Sequence, residues 1–481
     1  MTIFASNNAN NNFNEFPDMR QRFLTLVSLF VLALSVMAQG KAKYVFYFIG
    51  DGMGVNQVNA AETYLGALEG RIGIQELCFP SFPYVALINT QSATNGVTDS
   101  AAGGTALASG NKTKNGALGV LKDLTTPVNC IAHWAKEAGA AVGVTTSVSI
   151  DHATPAAFYS HVASRKMYYE IGSQLPGSGF DFFGGSDFLN PNNPDGGPDL
   201  YAQATTAGYT IARGYKDYQK KCKKADKMIL FQTEEASKIE RGSIPYALDR
   251  TKKDLSLQDI TRAAINFLTK KQKEKDGFFL MVEGGKIDWG CHANDPVFIS
   301  ELIDMDNAVK VAYEFYQQHP DETLIVITAD HETGGLVLGR GPYELNLQAI
   351  SHQRMSMDKL GRELNAMKEK QGEGFTWDVT KKFLTENFGF WEALKVSDEQ
   401  TARLERSFNE FKEGKAKADR LCGTVKHVIS ECALIGWQSG GHSNGYVPAF
   451  AIGVGAEQFH GRFDNTEICK KMAKAAGWKA E

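Results

Sequence analysis

The run Tyr44-Val45-Phe46-Tyr47-Phe48-Ile49 passes directly into Gly50-Asp51-Gly52-Met53-Gly54. A short apolar run closed by glycine predicts a buried strand. A carboxylate just past its end lies where open α/β sheets gather ligands. The pattern recurs. Glu283, Asp288 and His292 follow the apolar run 278–282, and Asp330 and His331 follow 324–328. His442 lies in Gly440-Gly441-His442-Ser443, just before the run 447–454. Carboxylates and imidazoles gathered at several strand ends predict metal ligands in preference to surface charges.

A further stretch supplies a nucleophile. Val97-Thr98-Asp99-Ser100-Ala101-Ala102-Gly103-Gly104-Thr105 sets a serine after an aspartate and before small residues able to start a helix. Small side chains let a ligand approach the backbone, and free N–H groups at a helix start favour an anion. Taken alone, the stretch reads as an aspartate N-cap on a packing helix. Beside the candidate ligands, Ser100 reads as a nucleophile placed to meet phosphate.

The 481 residues suffice for one large α/β domain with insertions, or for two or three small ones. Hydrophobic residues are 43 % and charged residues 22 %, an ordinary globular balance. A net charge of −4 gives no polyanion-binding signal, so no nucleic-acid partner is expected. The run Lys220-Lys221-Cys222-Lys223-Lys224 reads as a solvated face.

At the N-terminus, Arg20 and Arg22 precede an apolar stretch, 23–37, and Val36-Met37-Ala38 fits a small-residue cleavage rule. The stretch is about 15 residues, shorter than the roughly 20 that span a bilayer. Residues 1–38 are therefore expected to be a leader and signal peptide, with Met19 an alternative start. The expectation is export to the periplasm or the extracellular space, with no membrane span after cleavage. An uncleaved anchor is the rival reading. Seven cysteines leave at least one thiol unpaired, and Cys291 reads as a buried structural thiol.

Along the chain, apolar runs at 44–49, 141–146, 228–232, 278–282, 324–328 and 448–454 predict strands. Segments 130–138, 258–275 and 297–318 predict helices. This alternation predicts a sheet with helices on both faces. Residues 184–198, rich in Gly, Asn and Pro, predict a loop. The charged region at about 340–435 predicts helices at 355–370, 378–387 and 398–418, and reads as a helical insertion in a catalytic domain covering 40–481.

Taken together, the segments D-G-M-G, T-D-S-A, A-T-P-A with a downstream S-R, V-E-G-x-x-I-D-x-x-x-H, A-D-H and the late G-H resemble the alkaline phosphatase family. The resemblance covers roughly residues 42–460, in family order. It implies a three-layer α/β/α sandwich with a large, mostly parallel sheet. It also implies hydrolysis of small-molecule phosphomonoesters through a phosphoserine. Asp51, Asp330 and His331 would hold one zinc, and Asp288, His292 and His442 a second. Asp51, Thr154 and Glu283 would hold a third ion, usually magnesium. Ser100 would be the nucleophile and Arg165 the phosphate clamp. His152 and Trp289 would help bind substrate: His152 stands where one bacterial branch has an Asp near the third metal, and Trp289 where it has a Lys near phosphate, the vertebrate-type branch having His at both. A homodimer is a candidate assembly.

These residue types suit that chemistry. Zinc accepts imidazole and carboxylate and leaves a position open. Two metals roughly 4 Å apart stabilise the attacking and leaving oxygens of an in-line displacement. Arginine offers a fork matched to two phosphate oxygens. Asp288 and His292, four apart, share a face if the turn is helical. Alone, Arg165 reads as a salt-bridge partner and Thr154 as a turn residue. The rivals are a phosphodiesterase of the same superfamily, a sulfatase, and a non-catalytic phosphate or metal binder. No C-x-P-x-R or S-x-P-x-R supports the sulfatase.

Overall fold

The run that ends on Asp51 forms β1 (Tyr44–Gly50), buried along its whole length. The structure is a computed structural model describing residues 40–271, 275–341 and 343–480; the expected leader and signal peptide lie outside them. β1 is followed by β2 (Tyr84–Asn89), β3 (Ala141–Thr146), β4 (Phe182–Gly185), β5 (Tyr209–Arg213), β6 (Lys227–Phe231), β7 (Phe278–Gly284) and β8 (Thr323–Thr328). Two-residue strands come next: β9 (Glu332–Thr333), β10 (Val337–Leu338), β11 (Ile435–Gly436) and β12 (His442–Ser443). β13 (Val447–Gly453) and β14 (Gly461–Asp464) complete the set.

Ten strands form one sheet in the order β14-β2-β13-β8-β1-β7-β3-β4-β6-β5. Neighbours are parallel except at β13, which is antiparallel to both β8 and β2. Successive strand residues face opposite ways, and the two layers of helices follow from that. In β1, Phe46 packs against Phe315 of the helix Phe298–Gln318 at 5.6 Å. The next residue, Tyr47, donates from its hydroxyl to Leu107 O of the helix Ser100–Ser109 at 3.4 Å. In β7, Phe278 meets Phe315 at 5.5 Å, while Phe279 stacks on Phe158 at 6.2 Å. Each buried phenylalanine contributes about 1.5–3 kcal/mol. The result is a three-layer α/β/α sandwich.

Register brings the ligands together. Ile49 of β1 lies opposite Glu283 of β7 and Thr328 of β8, and Thr146 of β3 also faces Glu283. The carboxyl ends of four adjacent strands are therefore level, and Asp51, Glu283 and Asp330 leave the sheet at one edge.

Three expectations need correction. The loop expected at 184–198 begins inside β4, because Gly184 and Gly185 are strand residues. A Cβ at Gly184 would lie 2.6 Å from Ile260 Cγ2, so glycine here permits close helix–sheet packing. The segment 398–418 is not one helix: Asp398–Lys412 stops before Gly414, at φ +74°, and Ala418–Ala433 starts anew. The helix expected over 258–275 is Leu257–Lys270, begun by a capping box between Ser256 and Asp259.

Helices Met357–Gln371 and Trp377–Phe388 also fall in the 340–435 region. All seven cysteines are free, and Cys291 is buried. Among the described residues, no helix is long and apolar enough to cross a membrane.

Candidate metal centre and nucleophile

Asp99 organises the start of the serine helix. Its carboxylate accepts from Ala102 N at 3.0 Å, the N-cap expected of the sequence. The same carboxylate accepts from Gly116 N at 3.0 Å and from Arg165 Nη1 at 3.2 Å. One residue thus fixes Ser100 and Arg165 together, and sequence reading assigned it only the cap. Gly103 lets the helix approach the segment just after β8, since a Cβ there would lie 2.9 Å from Asp330 O. Ser100 Oγ stands 3.2 Å from His331 Nε2.

Three groups of candidate ligand atoms assemble around this serine, each within 4.8 Å: Asp51, Asp330 and His331; Asp288, His292 and His442; Asp51, His152 and Glu283. His331 Nε2 lies 3.3 Å from both Asp51 Oδ1 and Asp330 Oδ2. Asp288 and His292 project from the helix Lys286–His292, with Asp288 Oδ2 3.2 Å from His292 Nε2. Pairing of β12 with β9 brings in His442, whose Nε2 is 3.7 Å from Asp288 Oδ1. The His152 ring packs edge-on against Trp289 at 5.9 Å.

Hydrogen bonds set the imidazole tautomers. Thr333 donates its one hydroxyl proton to Asp288 Oδ1 at 2.5 Å. It therefore accepts from His331 Nδ1–H at 3.1 Å, leaving His331 Nε2 unprotonated, an acceptor facing the Ser100 hydroxyl. His292 Nδ1–H donates to Gly440 O at 2.7 Å, and His442 Nδ1–H donates to Thr98 O at 2.8 Å. Their Nε2 atoms then face each other at 3.0 Å, an arrangement that calls for a proton or a cation between them. Sequence reading passed over Thr333; its place two residues after His331 was the only signal.

The carboxylates carry the same message. Both Asp51 oxygens, Asp330 Oδ2, Glu283 Oε1, Thr154 Oγ1 and His152 Nδ1 are buried without a hydrogen-bond partner. Burial and the neighbouring Asp330 raise Asp51 well above the carboxylate range. Burial and Asp288 push Asp330 up to about 8. Burial pushes Glu283 up to about 7 despite its bond from Thr146. Asp288, although buried, is held below the usual range by His292, His331 and His442. Burial holds His331 well below the ordinary imidazole value, so it stays neutral. Buried anions without partners are costly, and divalent cations reverse that cost. The donor set fits metal ions.

A serine beside such a cluster, at the strand ends of a mostly parallel α/β sheet, defines a metal-dependent hydrolase. The sequence profile of the alkaline phosphatase family matches residues 42–189 and 195–478, and the chain belongs to that family. It is an enzyme that hydrolyses phosphate monoesters. Alkaline phosphatase 3 of Bacillus subtilis (strain 168) is 33 % identical over 453 residues, covering 91 % of this chain and 89 % of its own. The cold-active alkaline phosphatase of Shewanella sp. matches with a TM-score of 0.75 and 28 % identity, covering 90 % and 99 % of the two chains. A His-to-Asp mutant of TAB5 alkaline phosphatase, with Mg bound in its M3 site, matches with a TM-score of 0.63 and 27 % identity, covering 91 % and 99 %.

Proposed function

We infer that the reaction runs through a phosphoserine on Ser100, at a centre of two zinc ions and one magnesium. The observation that carries this reading is the set of unpartnered buried carboxylate oxygens beside the Ser100 hydroxyl. Asp51, Asp330 and His331 would hold one zinc, and Asp288, His292 and His442 the other. Asp51, Glu283 and Thr154 would hold magnesium, with His152 adjacent. Bound metal supplies Lewis-acid stabilisation of the attacking and leaving oxygens.

The remaining work falls to the chain's own groups. Ser100 Oγ gives up its proton and forms the new bond to phosphorus as the bond from phosphorus to the leaving oxygen breaks, and that oxygen takes up a proton and departs as the alcohol. Asp99 orients Arg165, whose guanidinium pairs two phosphate oxygens. Trp289 and His152 wall the phosphate. Water then hydrolyses the phosphoserine and releases inorganic phosphate.

The test is turnover of p-nitrophenyl phosphate against its diester, with metals counted in the same sample. Monoester preference with two zincs and one magnesium is expected; diester preference overturns the reading. Export belongs to the same proposal, with cleavage near Ala38, and sequencing the mature N-terminus checks it.

Two variants probe the metal shell. Burial and the nearby Arg165 hold His152 down to about 3, so it brings no charge to the third site. Magnesium prefers oxygen donors. His152→Asp is expected to tighten magnesium binding by about tenfold and to make activity respond more to added magnesium. The TAB5 His-to-Asp protein, with Mg in its M3 site, supports trying this exchange. Equal or weaker affinity by calorimetry, with both zincs in place, contradicts it.

Thr333→Val removes the hydroxyl that orients both His331 and Asp288. Zinc affinity should fall about 10–100-fold, with Thr333→Ser restoring it. Unchanged affinity in the valine variant refutes the role.

A further inference from the structure

A cavity opens beside Arg165, and the reaction as described leaves it unused. Lys166, Tyr168, Tyr169, Leu189, Asn190 and Arg241 line about 430 Å³. Lys166 follows Arg165 directly, so one wall continues the phosphate clamp. On the other wall, Leu189 N donates to Asp151 Oδ2 at 2.9 Å, which ties this loop to the residue next to His152. Trp289 stands near this loop. A Cβ on Gly242, the neighbour of Arg241, would lie 3.4 Å from Trp289 Cη2 and 3.6 Å from Leu189 Cδ2. The cavity is thus lined by the residue that follows Arg165 and by a loop tied to the neighbour of His152.

Its chemistry is selective. Lys166 and Arg241 are exposed, and among the described residues neither side chain has an ion pair or hydrogen bond. Two cations uncommitted to the protein remain available to an anion. Tyr169 is held in place, accepting from Gln203 Nε2 at 2.7 Å and donating to Pro198 O at 3.4 Å. A pre-oriented ring loses little freedom when a second ring stacks on it. Tyr168 adds another aromatic surface and Asn190 an amide. One acid, Glu170, stands among the lining residues and leaves the cations in excess.

We propose that this cavity is a leaving-group subsite for phosphomonoesters whose alcohol carries a flat ring and additional negative charge, as in a nucleoside 3′,5′-bisphosphate. The proposal rests on the monoester reading above. The ring stacks on the tyrosines, while Lys166 and Arg241 take the second phosphate. Both contacts lie beyond the reacting phosphorus, so they discriminate among leaving groups without altering the chemistry at Ser100.

The experiment measures kcat/KM of the metal-loaded enzyme on glycerol phosphate, adenosine 5′-monophosphate and adenosine 3′,5′-bisphosphate. Values should rise in that order. Tyr168→Ala should lower the two adenosine substrates about tenfold and leave glycerol phosphate unchanged. Lys166→Met and Arg241→Met should each lower the bisphosphate about threefold, with a weaker salt dependence and little effect on the monophosphate. No change in any variant, or equal loss on all three substrates, overturns the subsite. Absence of turnover of all three by the wild-type protein would instead overturn the monoester reading, and the subsite with it.

Discussion

Ser100→Ala should lose about 1000-fold or more in kcat/KM toward p-nitrophenyl phosphate while keeping its full metal content. The expectation follows from what the hydroxyl touches. Ser100 Oγ is buried and stands 3.2 Å from His331 Nε2, beside the unpartnered oxygens of Asp51 and Asp330. Alanine removes the nucleophile but none of the eight candidate ligands, and the helix keeps its Asp99 cap because that bond runs to Ala102 N. Some turnover should survive through direct attack by water, since Arg165 remains anchored to Asp99. Phosphate trapped on the protein at acid quench should disappear. Undiminished turnover at equal metal content would sink the covalent mechanism, whatever became of the other predictions.

Chelation should abolish turnover and lower thermal stability, and the stability gap should widen as pH rises from about 6.5 to about 8. A single ion held at 100 times its dissociation constant adds about 2.7 kcal/mol to stability. The pH dependence comes from the metal-free state. Burial and Asp288 raise Asp330 to about 8, and burial raises Glu283 to about 7. His292, through its bond with Asp288, is also raised to about 8. Each keeps its proton in the fold at a pH where the unfolded chain has released it. Stability therefore falls as pH climbs through these values. His331, depressed by burial, acts oppositely, but only below its ordinary value of 6.5. Above that value these contributions from the ligands all point downward. Metal replaces these protons, so the loaded protein should hold its melting temperature across the same range. Parallel melting curves for loaded and chelated protein over this range would contradict this account.

The ligand pattern was legible because strand ends are written locally. The runs that became β1, β3, β6, β7, β8 and β13 are apolar enough to be recognised without their neighbours, and the clusters around Asp51, Glu283, Asp330 and His442 adjoin such runs. The strands β2, β5 and β14, at the two ends of the sheet, were not legible. They are partly exposed, with Val85 and Leu87 of β2 facing solvent, so no continuous apolar signal marks them. β4 was hidden for a different reason, since two of its four residues are glycines whose role lies in the helix packed against them.

The sequence by itself determined the class of the sheet and the candidate ligands at the strand ends, because residue type and strand-end position suffice for those inferences; the readings of Ser100 as nucleophile and Arg165 as phosphate clamp drew on the family resemblance. Only the tertiary structure decided how they cooperate. β13 runs against its neighbours, and this follows from the path of the chain through the sheet rather than from any residue within it. Asp99 serves as both helix cap and arginine anchor because residue 165 returns to it across 66 positions. Thr333 bridges His331 and Asp288 because β9 and the helix Lys286–His292 meet beneath the site. Hydrogen bonds and desolvation act over a few ångströms of space. They can be assigned only once folding has brought distant residues within that reach.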